Sequence, residues 1–422
     1  MIHPPGLVEA RRGPLLLAGV DDGSSLEAHR ARRGPLPHPT LARLLDLAEP
    51  AGLRGRGGAG FPFARKLRTV AEASGRLPGR HPVVVVNAAE GEPASAKDEA
   101  LLRVSPHLVL DGAAVVARAL RAREVHVVTS EDRPLVGAAV EAALDEREDR
   151  HLRWTRHTAD GRFVAGQARS VLELMAGRPG LPVTSWAPEA LDGHRGRPTL
   201  LSNAESWAHL AALVLHGPEA YAALGLPDEP GTTLLSLSAP PDERGRMGRV
   251  RVVEAEHGAR AASVLGPASL VAPLLVGGFH GGWVHPRDVP GLTVSATHLR
   301  GLGLSLGAGA LLSLSDGSCP VAETARYTAY LAGESAGRCG PCRNGLPALS
   351  AEMRALAEGA DTRRRLRELT GLVAGRGACA HPDGTARLVT SLLTRLEDLV
   401  EDHLDGGCGC PARQRARLVE AW

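Results

Sequence analysis

The sequence predicts an α/β domain built on a parallel sheet, then a small β-rich domain, then a C-terminal helical region. Three observations carry that expectation. Val83 to Val86 is an unbroken valine run behind Pro82, the pattern of a strand buried on both faces. Helix-like and strand-like segments alternate on either side of residue 120, which implies parallel strands joined by right-handed crossovers. After residue 230 short apolar runs separated by Gly, Pro and Asp take over, and from Pro320 the periodicity is helical.

Taken in order, residues 1–35 are rich in Arg, Gly and Pro and are expected to be an irregular lead-in. Leu41, Leu44, Leu45 and Leu47 mark a helix over 40–51. A glycine loop, Gly55-Arg56-Gly57-Gly58-Ala59-Gly60, separates it from the valine strand. Residues 108–122 form a crossover helix, 124–129 the next strand and 133–146 another helix, with the α/β region ending near residue 225. Runs such as TLLSLS, VRVVE and LTVSA give 231–314 its β texture. Pro320 can serve as a first helical residue. Leu388, Leu392, Leu393, Leu396, Leu399 and Leu404 line one face of a final helix. A Gly- and Arg-rich tail, 406–422, is expected to be loosely ordered.

Composition excludes several classes. With 43% hydrophobic residues in 422, the chain can bury several cores and is not disordered. Forty-nine basic and 47 acidic residues leave a net charge of +2, too small a footprint for general nucleic-acid binding. No apolar run reaches the ~18 residues a membrane span needs, and the N-terminus lacks signal-peptide features. A cytoplasmic protein without direct membrane insertion is expected. Six cysteines in so long a chain are no disulfide framework, so clustered ones point to metal or redox use. Only Lys66 and Lys97 are lysines; the other 47 of 49 basic residues are arginine. Both lysines fall in motif-like segments, where a compact ammonium differs from a planar fork.

Gly55, Gly57 and Gly60 match G-x-G-x-x-G but follow a helix, whereas a Rossmann fingerprint follows a strand. The loop is either a turn between elements or a place where backbone N–H groups approach a phosphate or flat ring closely. Arg54, Arg56 and Lys66 would supply positive charge for an anion. The valine strand runs into Asn87-Ala88-Ala89-Glu90-Gly91-Glu92-Pro93. Ligands of open α/β sheets bind at this carboxyl edge, and Glu90 and Glu92 are acceptors suited to ribose hydroxyls or a ring N–H. The bland alternative is a solvated acidic loop. Cys339-Gly340-Pro341-Cys342 brings two thiolates within reach of one metal centre.

LRGRGGAGF (Leu53 to Phe61) with Pro62 and Lys66 resembles the FMN-binding loop of the flavoprotein subunit of respiratory complex I, a chain type also found in NAD-reducing hydrogenases and NAD-dependent formate dehydrogenases. VVVNAAEGEP with Lys97-Asp98 and Pro106-His107 is similar to the next motif of that family, PTLLSNAES to a later one, and GESAGRCGPCRNG to its iron–sulfur motif. The resemblance covers about four fifths of the chain. It implies an FMN-binding α/β domain over 1–228, a β-grasp (SLBB-like) domain over 229–315, a helical iron–sulfur domain over 316–405 and a tail over 406–422. By matched position Gly55, Gly57, Gly58, Gly60, Lys66, Asn87, Glu90, Glu92 and Asn203 would contact FMN or the nicotinamide, with Glu92 the catalytic candidate. In the family NADH gives the flavin a hydride and the flavin releases electrons singly to a cluster. An electron-transfer oxidoreductase is implied. Its partner would be an electron-donor or acceptor protein, ferredoxin-like or a second redox subunit.

Three departures stand out. Ala89 replaces an Asp, and Gly166-Gln167-Ala168-Arg169 replaces Gly-Glu-Glu-Thr, leaving NAD(H), NADP(H) or a conduit without nicotinamide chemistry open. The Asn-Ala-Ala-Glu form also resembles a component of the membrane-bound ferredoxin:NAD oxidoreductase. Ala336 replaces the first cluster cysteine, so Cys339, Cys342 and Cys379 are three ligands where a [4Fe–4S] cluster takes four. A [4Fe–4S] cluster with an unusual ligand, a [3Fe–4S] cluster, a zinc site completed by His381, and an inert or disulfide-forming pair all remain open. A helix over 320–335 would hold Cys319 ~24 Å from Cys339, and Cys408 and Cys410 are read as thiols rather than ligands.

Overall fold

A computed structural model of the chain describes residues 7–76, 79–314 and 318–408. Strand β1 (Leu7–Ala10) leads into helices α1 (Leu26–Arg33), α2 (Leu41–Ala48) and α3 (Phe63–Gly75). The α/β unit continues as β2 (Val83–Ala88), α4 (Lys97–Val104), α5 (Pro106–Ala119), β3 (Glu124–Ser130), α6 (Pro134–Asp145), β4 (Arg153–Ala159), α7 (Ala168–Met175), β5 (Thr199–Asn203) and α8 (Ala204–Ala222). A two-residue ladder, β6 (Gly225–Leu226) with β7 (Glu229–Pro230), precedes β8 (Thr232–Ser238) and β9 (Arg249–Glu256). Then follow α9 (Ala261–Val264), β10 (Leu274–Val276), β11 (Gly282–Val284), α10 (Ala296–Gly301) and β12 (Ala310–Ser313). The rest is helical: α11 (Pro320–Gly333), α12 (Leu346–Ala357), α13 (Arg363–Val373), α14 (His381–Arg395) and α15 (Glu397–Leu404).

The first sheet is parallel throughout, in the order β4-β3-β2-β5. The valine strand lies inside it and is buried on both faces, as its composition requires. Val84 and Val86 join the large core under α2, α3, α5 and α8, while Val83 and Val85 face the smaller cluster of Val171, Leu172 and Met175. The second sheet is mixed, in the order β1-β9-β8-β12-β10-β11. Among the described residues no single helix is long and apolar enough to cross a membrane.

Two expectations are corrected. Residues 1–35 are not wholly irregular: β1 pairs in parallel with β9 of the second sheet, so the lead-in crosses the boundary drawn at residue 228. Leu15, Leu16 and Leu17 are buried, and their amides donate to the Glu254 carboxylate at 3.2, 2.8 and 3.0 Å. Strand β1 has only four residues and no periodicity to betray it. The leucine stripe of 388–404 is divided between α14 and α15, because Leu396 leaves helical geometry at φ −117°. Cys410 and the tail beyond residue 408 lie outside the described residues.

Helices α5 and α8 meet closely. A Cβ on Gly112 would fall 2.0 Å from the Trp207 carbonyl oxygen, and the Trp207 indole N–H reaches the carbonyls of Val85 and Ser202 at 3.2 and 3.1 Å. Overpacking there has no soft neighbour to displace. Gly112→Ala is expected to destabilise the α/β unit by about 1–3 kcal/mol, read as a lower denaturation midpoint.

Candidate functional site

Strand order places the site. The chain steps from β2 to β3 and β4 on one side, then returns to put β5 on the other. The carboxyl ends of β2 and β5 therefore flank a switch point, where open α/β sheets bind ligands. Asn87 and Asn203 are register partners at that edge. A cleft of about 490 Å³ opens there, within the size range of cofactor sites. Its walls come from the glycine loop, the acidic loop, Gly277 and Gly307 of the second sheet's turns, and Ala380 and Gly384 of the helical region.

The glycine loop is a closed hairpin-like turn: the Gly55 amide donates to Phe61 O and the Phe63 amide to Leu53 O, both at 2.8 Å. Gly58 and Gly60 adopt φ of 96° and 60°, which side chains disfavour. Arg56 lines the cleft and is also tied into the fold. Its amide donates to Ser206 Oγ at 2.9 Å, and its guanidinium to Thr232 O at 3.0 Å and His257 Nε2 at 2.9 Å. Arg54 donates to Gly60 O at 3.2 Å. Both arginines brace the loop, and Arg56 does so from the cleft wall. Lys66 does face the cleft, paired with Glu189 at 2.6 Å and donating to Leu201 O at 2.7 Å.

Lys97 lies beneath. Its ammonium contacts Asp98 at 2.7 Å, Asn203 Oδ1 at 2.9 Å and Glu205 at 3.1 Å; both carboxylates are buried, and Asn203 is half-buried at the cleft. Burial disfavours the ammonium, but Asp98 and Glu205 outweigh it and raise its pKa. Burial likewise works against the Glu205 charge, and Lys97 more than compensates, holding that carboxyl well below its usual range. Asn203 caps α8 through the Glu205 amide at 3.1 Å and donates to Asp98 at 2.5 Å.

Glu90 and Glu92 line the cleft, but both are buried, so this is no solvated acidic loop. Glu90 accepts from Ser95 Oγ at 2.5 Å and from the amides of Asp98 and Glu99 at 3.3 and 3.4 Å, anchoring the start of α4. Glu92 accepts from the amides of Ala94 and Phe279 at 3.1 and 2.9 Å. A Cβ on Gly278 would lie 2.5 Å from its Oε2. Burial pushes the Glu92 carboxyl up to about 8 despite the two amide bonds. Asn87 donates to Gly166 O at 2.8 Å, which lays the 163–168 loop on the acidic loop. Arg169 turns away, donating to the carbonyls of Asp192, at 3.0 Å, and Ala187. It does not line the cleft, whereas Gln167, Ala168 and Glu189 do. Glu189 escapes a reading of the sequence because its loop, Ser185-Trp186-Ala187-Pro188-Glu189, carries no motif.

Cys339 and Cys342 flank the start of a single π-helical turn, Pro341–Gly345, a distortion often found at functional sites. Burial first, and the bond to Cys339 second, push the Cys342 thiol up to about 11. Cys379 is close enough for its charge to couple to theirs. The three matched cysteines are electrostatic neighbours, although their sulfurs are not gathered within 4.8 Å of one another as the ligand atoms of Cys319, His403 and Cys408 are, and the residue after Cys379, Ala380, lines the cleft. His381 is not available as a fourth ligand: Nε2 donates to Leu331 O at 2.8 Å and Nδ1 faces His280 Nε2 at 3.0 Å. The rings of His280, His381 and Phe163 pack between the cleft and the cysteine loop, with centroids 4.5 to 5.4 Å apart. Cys319 is elsewhere, beside His403 and Cys408. Cys408 is therefore no isolated thiol.

Residues 48–212 match the family model described as the Nuo51 FMN-binding domain, and residues 322–403 match that of the NADH-ubiquinone oxidoreductase-F iron–sulfur binding region. The chain thus carries an FMN-binding domain of the Nuo51 type and an iron–sulfur binding region of the F-subunit type. Relatives named as the F subunit of NADH-quinone oxidoreductase include one from Streptomyces coelicolor, 29% identical over 94% of this chain and 92% of its own. Another, from Mycobacterium tuberculosis, is 28% identical over 90% and 88%. Among solved structures, an air-oxidised NAD+-reducing [NiFe]-hydrogenase chain superposes with a TM-score of 0.78 at 26% identity, over 94% of this chain and 68% of that one. The α/β fold with its parallel sheet and the helical C-terminal region match those of these proteins.

Glu92 makes a pH prediction. Its folded pKa of about 8 exceeds the unfolded value near 4.5, so the folded state binds the extra proton between them. Stability from this group falls as pH rises from about 4.5 to 8. Glu92→Gln should flatten that part of the stability profile, measured by denaturation at stepped pH.

Proposed function

We propose that the chain is the flavin- and iron–sulfur-bearing subunit of an NAD(P)H-dependent oxidoreductase, passing electrons between the nucleotide and a partner redox subunit. The observation that carries this is the glycine-cradled cleft at the sheet's switch point, one wall of which ends on Ala380, beside Cys379. The residues fit FMN. A loop with Gly58 and Gly60 at positive φ leaves room for close backbone approach, and Gly57 lies where a Cβ would be 3.5 Å from that of Asn203. Loop amides and Lys66 would hold the phosphate. Asn87 and Asn203 would face the ring or ribityl chain from the strand edge. FMN, when bound, supplies a carrier that takes two electrons as hydride and yields them one at a time. Glu90 and Glu92 act on the protein rather than the ligand: each holds backbone amides that shape the wall, and Glu92 keeps a proton at neutral pH. This reading moves Glu92 from a catalytic to a positioning role.

Cys339, Cys342 and Cys379 would hold the iron–sulfur cluster. Ala336 offers no ligand, so three thiolates suit a [3Fe–4S] cluster, or a [4Fe–4S] cluster with a non-cysteine fourth ligand. The middle domain is read as a β-grasp because β9-β8-β12-β10-β11 places its first and last strands, β8 and β12, parallel at the centre. The partner is read as a further redox subunit. A second reading, an electron conduit without nicotinamide chemistry, is favoured by Gln167 and Ala168 in the cleft wall. Against it, Glu189 restores a carboxylate there.

The test is an anaerobic visible spectrum with NADH and with NADPH. Flavin and cluster absorption, bleached by one nucleotide, is the expected result. Flavin and iron without bleaching by either would select the conduit. A protein with neither would overturn the proposal. Gly57→Val should lose flavin while retaining iron, since its added methyls fill the cleft and not the cysteine site.

A further inference from the structure

A second cluster of metal-ligating side chains lies away from the cleft. Cys319 immediately precedes α11, His403 lies in the last turn of α15, and Cys408 follows that helix. His403 Nδ1 is 3.3 Å from Cys319 Sγ and 3.2 Å from Cys408 Sγ. All three ligand atoms lie within 4.8 Å of one another. Cys319 and His403 are buried. We propose that Cys319, His403 and Cys408 bind a structural zinc ion, separate from the iron–sulfur site.

The geometry argues for an ion in three ways. Tetrahedral zinc with bonds of about 2.3 Å to sulfur and about 2.0 Å to nitrogen separates adjacent S and N ligands by about 3.5 Å, close to the two distances observed. The imidazole is already oriented: Nε2 donates to Leu356 O at 3.2 Å, the outer bond that metal-bound histidines make, and this leaves the Nδ1 lone pair facing both sulfurs. Both sulfurs converge on this one nitrogen, with all three ligand atoms within 4.8 Å of one another, as ligands do around a shared cation. Two thiolates with an imidazole suit zinc and not magnesium or calcium. Binding would release both thiol protons to solvent and change no oxidation state. The fourth position would be taken by water or another donor.

The site joins the start of α11, the end of α12 through Leu356, and the end of α15. Helix α11 has 14 residues, so its ends are ~21 Å apart. Cys339 and Cys342 lie beyond the other end. One ion would staple the helical region at the end remote from the cysteines beside the cleft. The three ligands are 84 and 5 residues apart, a spacing that no short motif displays.

The full chain, purified anaerobically with reductant, should carry about one zinc per molecule in addition to iron. Cys319→Ser and His403→Ala should each lose the zinc and keep flavin and iron, and His403→Cys should keep all three. Cobalt replacement in the unmutated protein, which needs no variant to fold, should give thiolate charge-transfer and tetrahedral ligand-field bands. Absence of zinc, zinc unchanged in Cys319→Ser and His403→Ala, cobalt spectra without thiolate bands, or a Cys319–Cys408 disulfide under reductant would each overturn the proposal. Flavin and iron are measured in the same samples, so failure here is distinguishable from failure of the oxidoreductase reading.

Discussion

The Lys97 ammonium, buried among Asp98, Asn203 and Glu205, is the contact on which the two sheets and the cleft depend. Asp98 lies in the first turn of α4, and Asn203 caps α8. Glu205 also accepts from the Leu234 amide at 2.9 Å and Thr233 Oγ1 at 3.2 Å, on the central strand of the second sheet. A single cation thus fastens the carboxyl edge of the parallel sheet to the mixed sheet. An arginine fork would not fit as simply: Gly309 already brings its backbone so close that a Cβ there would lie 3.3 Å from the lysine Cδ. In a chain that otherwise uses arginine, this is where a compact point charge is required.

The same logic recurs around the cleft. Charged groups that look like ligand contacts in the sequence are spent on shaping the backbone: Arg56 on Thr232 and His257, Glu90 on the start of α4, Glu92 on Phe279, Arg169 on the 187–192 loop. The rest of the cleft wall is largely glycine backbone, with the paired Lys66 and Glu189, the amides of Asn87, Gln167 and Asn203, and Arg387. A rigid wall of this kind suits a flat, permanently bound ring better than a substrate that must come and go. Phe163, His280 and His381 then fill the space towards the cysteine loop with packed rings.

Much of this is legible in the residues alone. Four consecutive β-branched valines behind a proline point to a buried central strand, the glycine loop, the acidic loop and the Cys339–Cys342 pair are local in sequence, and Cys379 is legible through the family resemblance. What escapes depends on distant partners. The four-residue β1 is a strand only because β9 is beside it. The break at Leu396 leaves the leucine period intact, so periodicity does not show it. Glu189 matters through Lys66, 123 residues earlier by numbering (189 minus 66). His403 is one of 17 histidines until the fold sets it between two sulfurs.

The most direct test of this account is the stability and flavin content of Lys97→Met. Removing the ammonium leaves Asp98 and Glu205 buried without their cation, a change that costs about 3–5 kcal/mol. Chemical denaturation should show that loss, with flavin released from the fraction that stays folded. If Lys97→Met keeps wild-type stability and a full complement of flavin, the two sheets are held together by something other than this network, and the account is wrong at its centre.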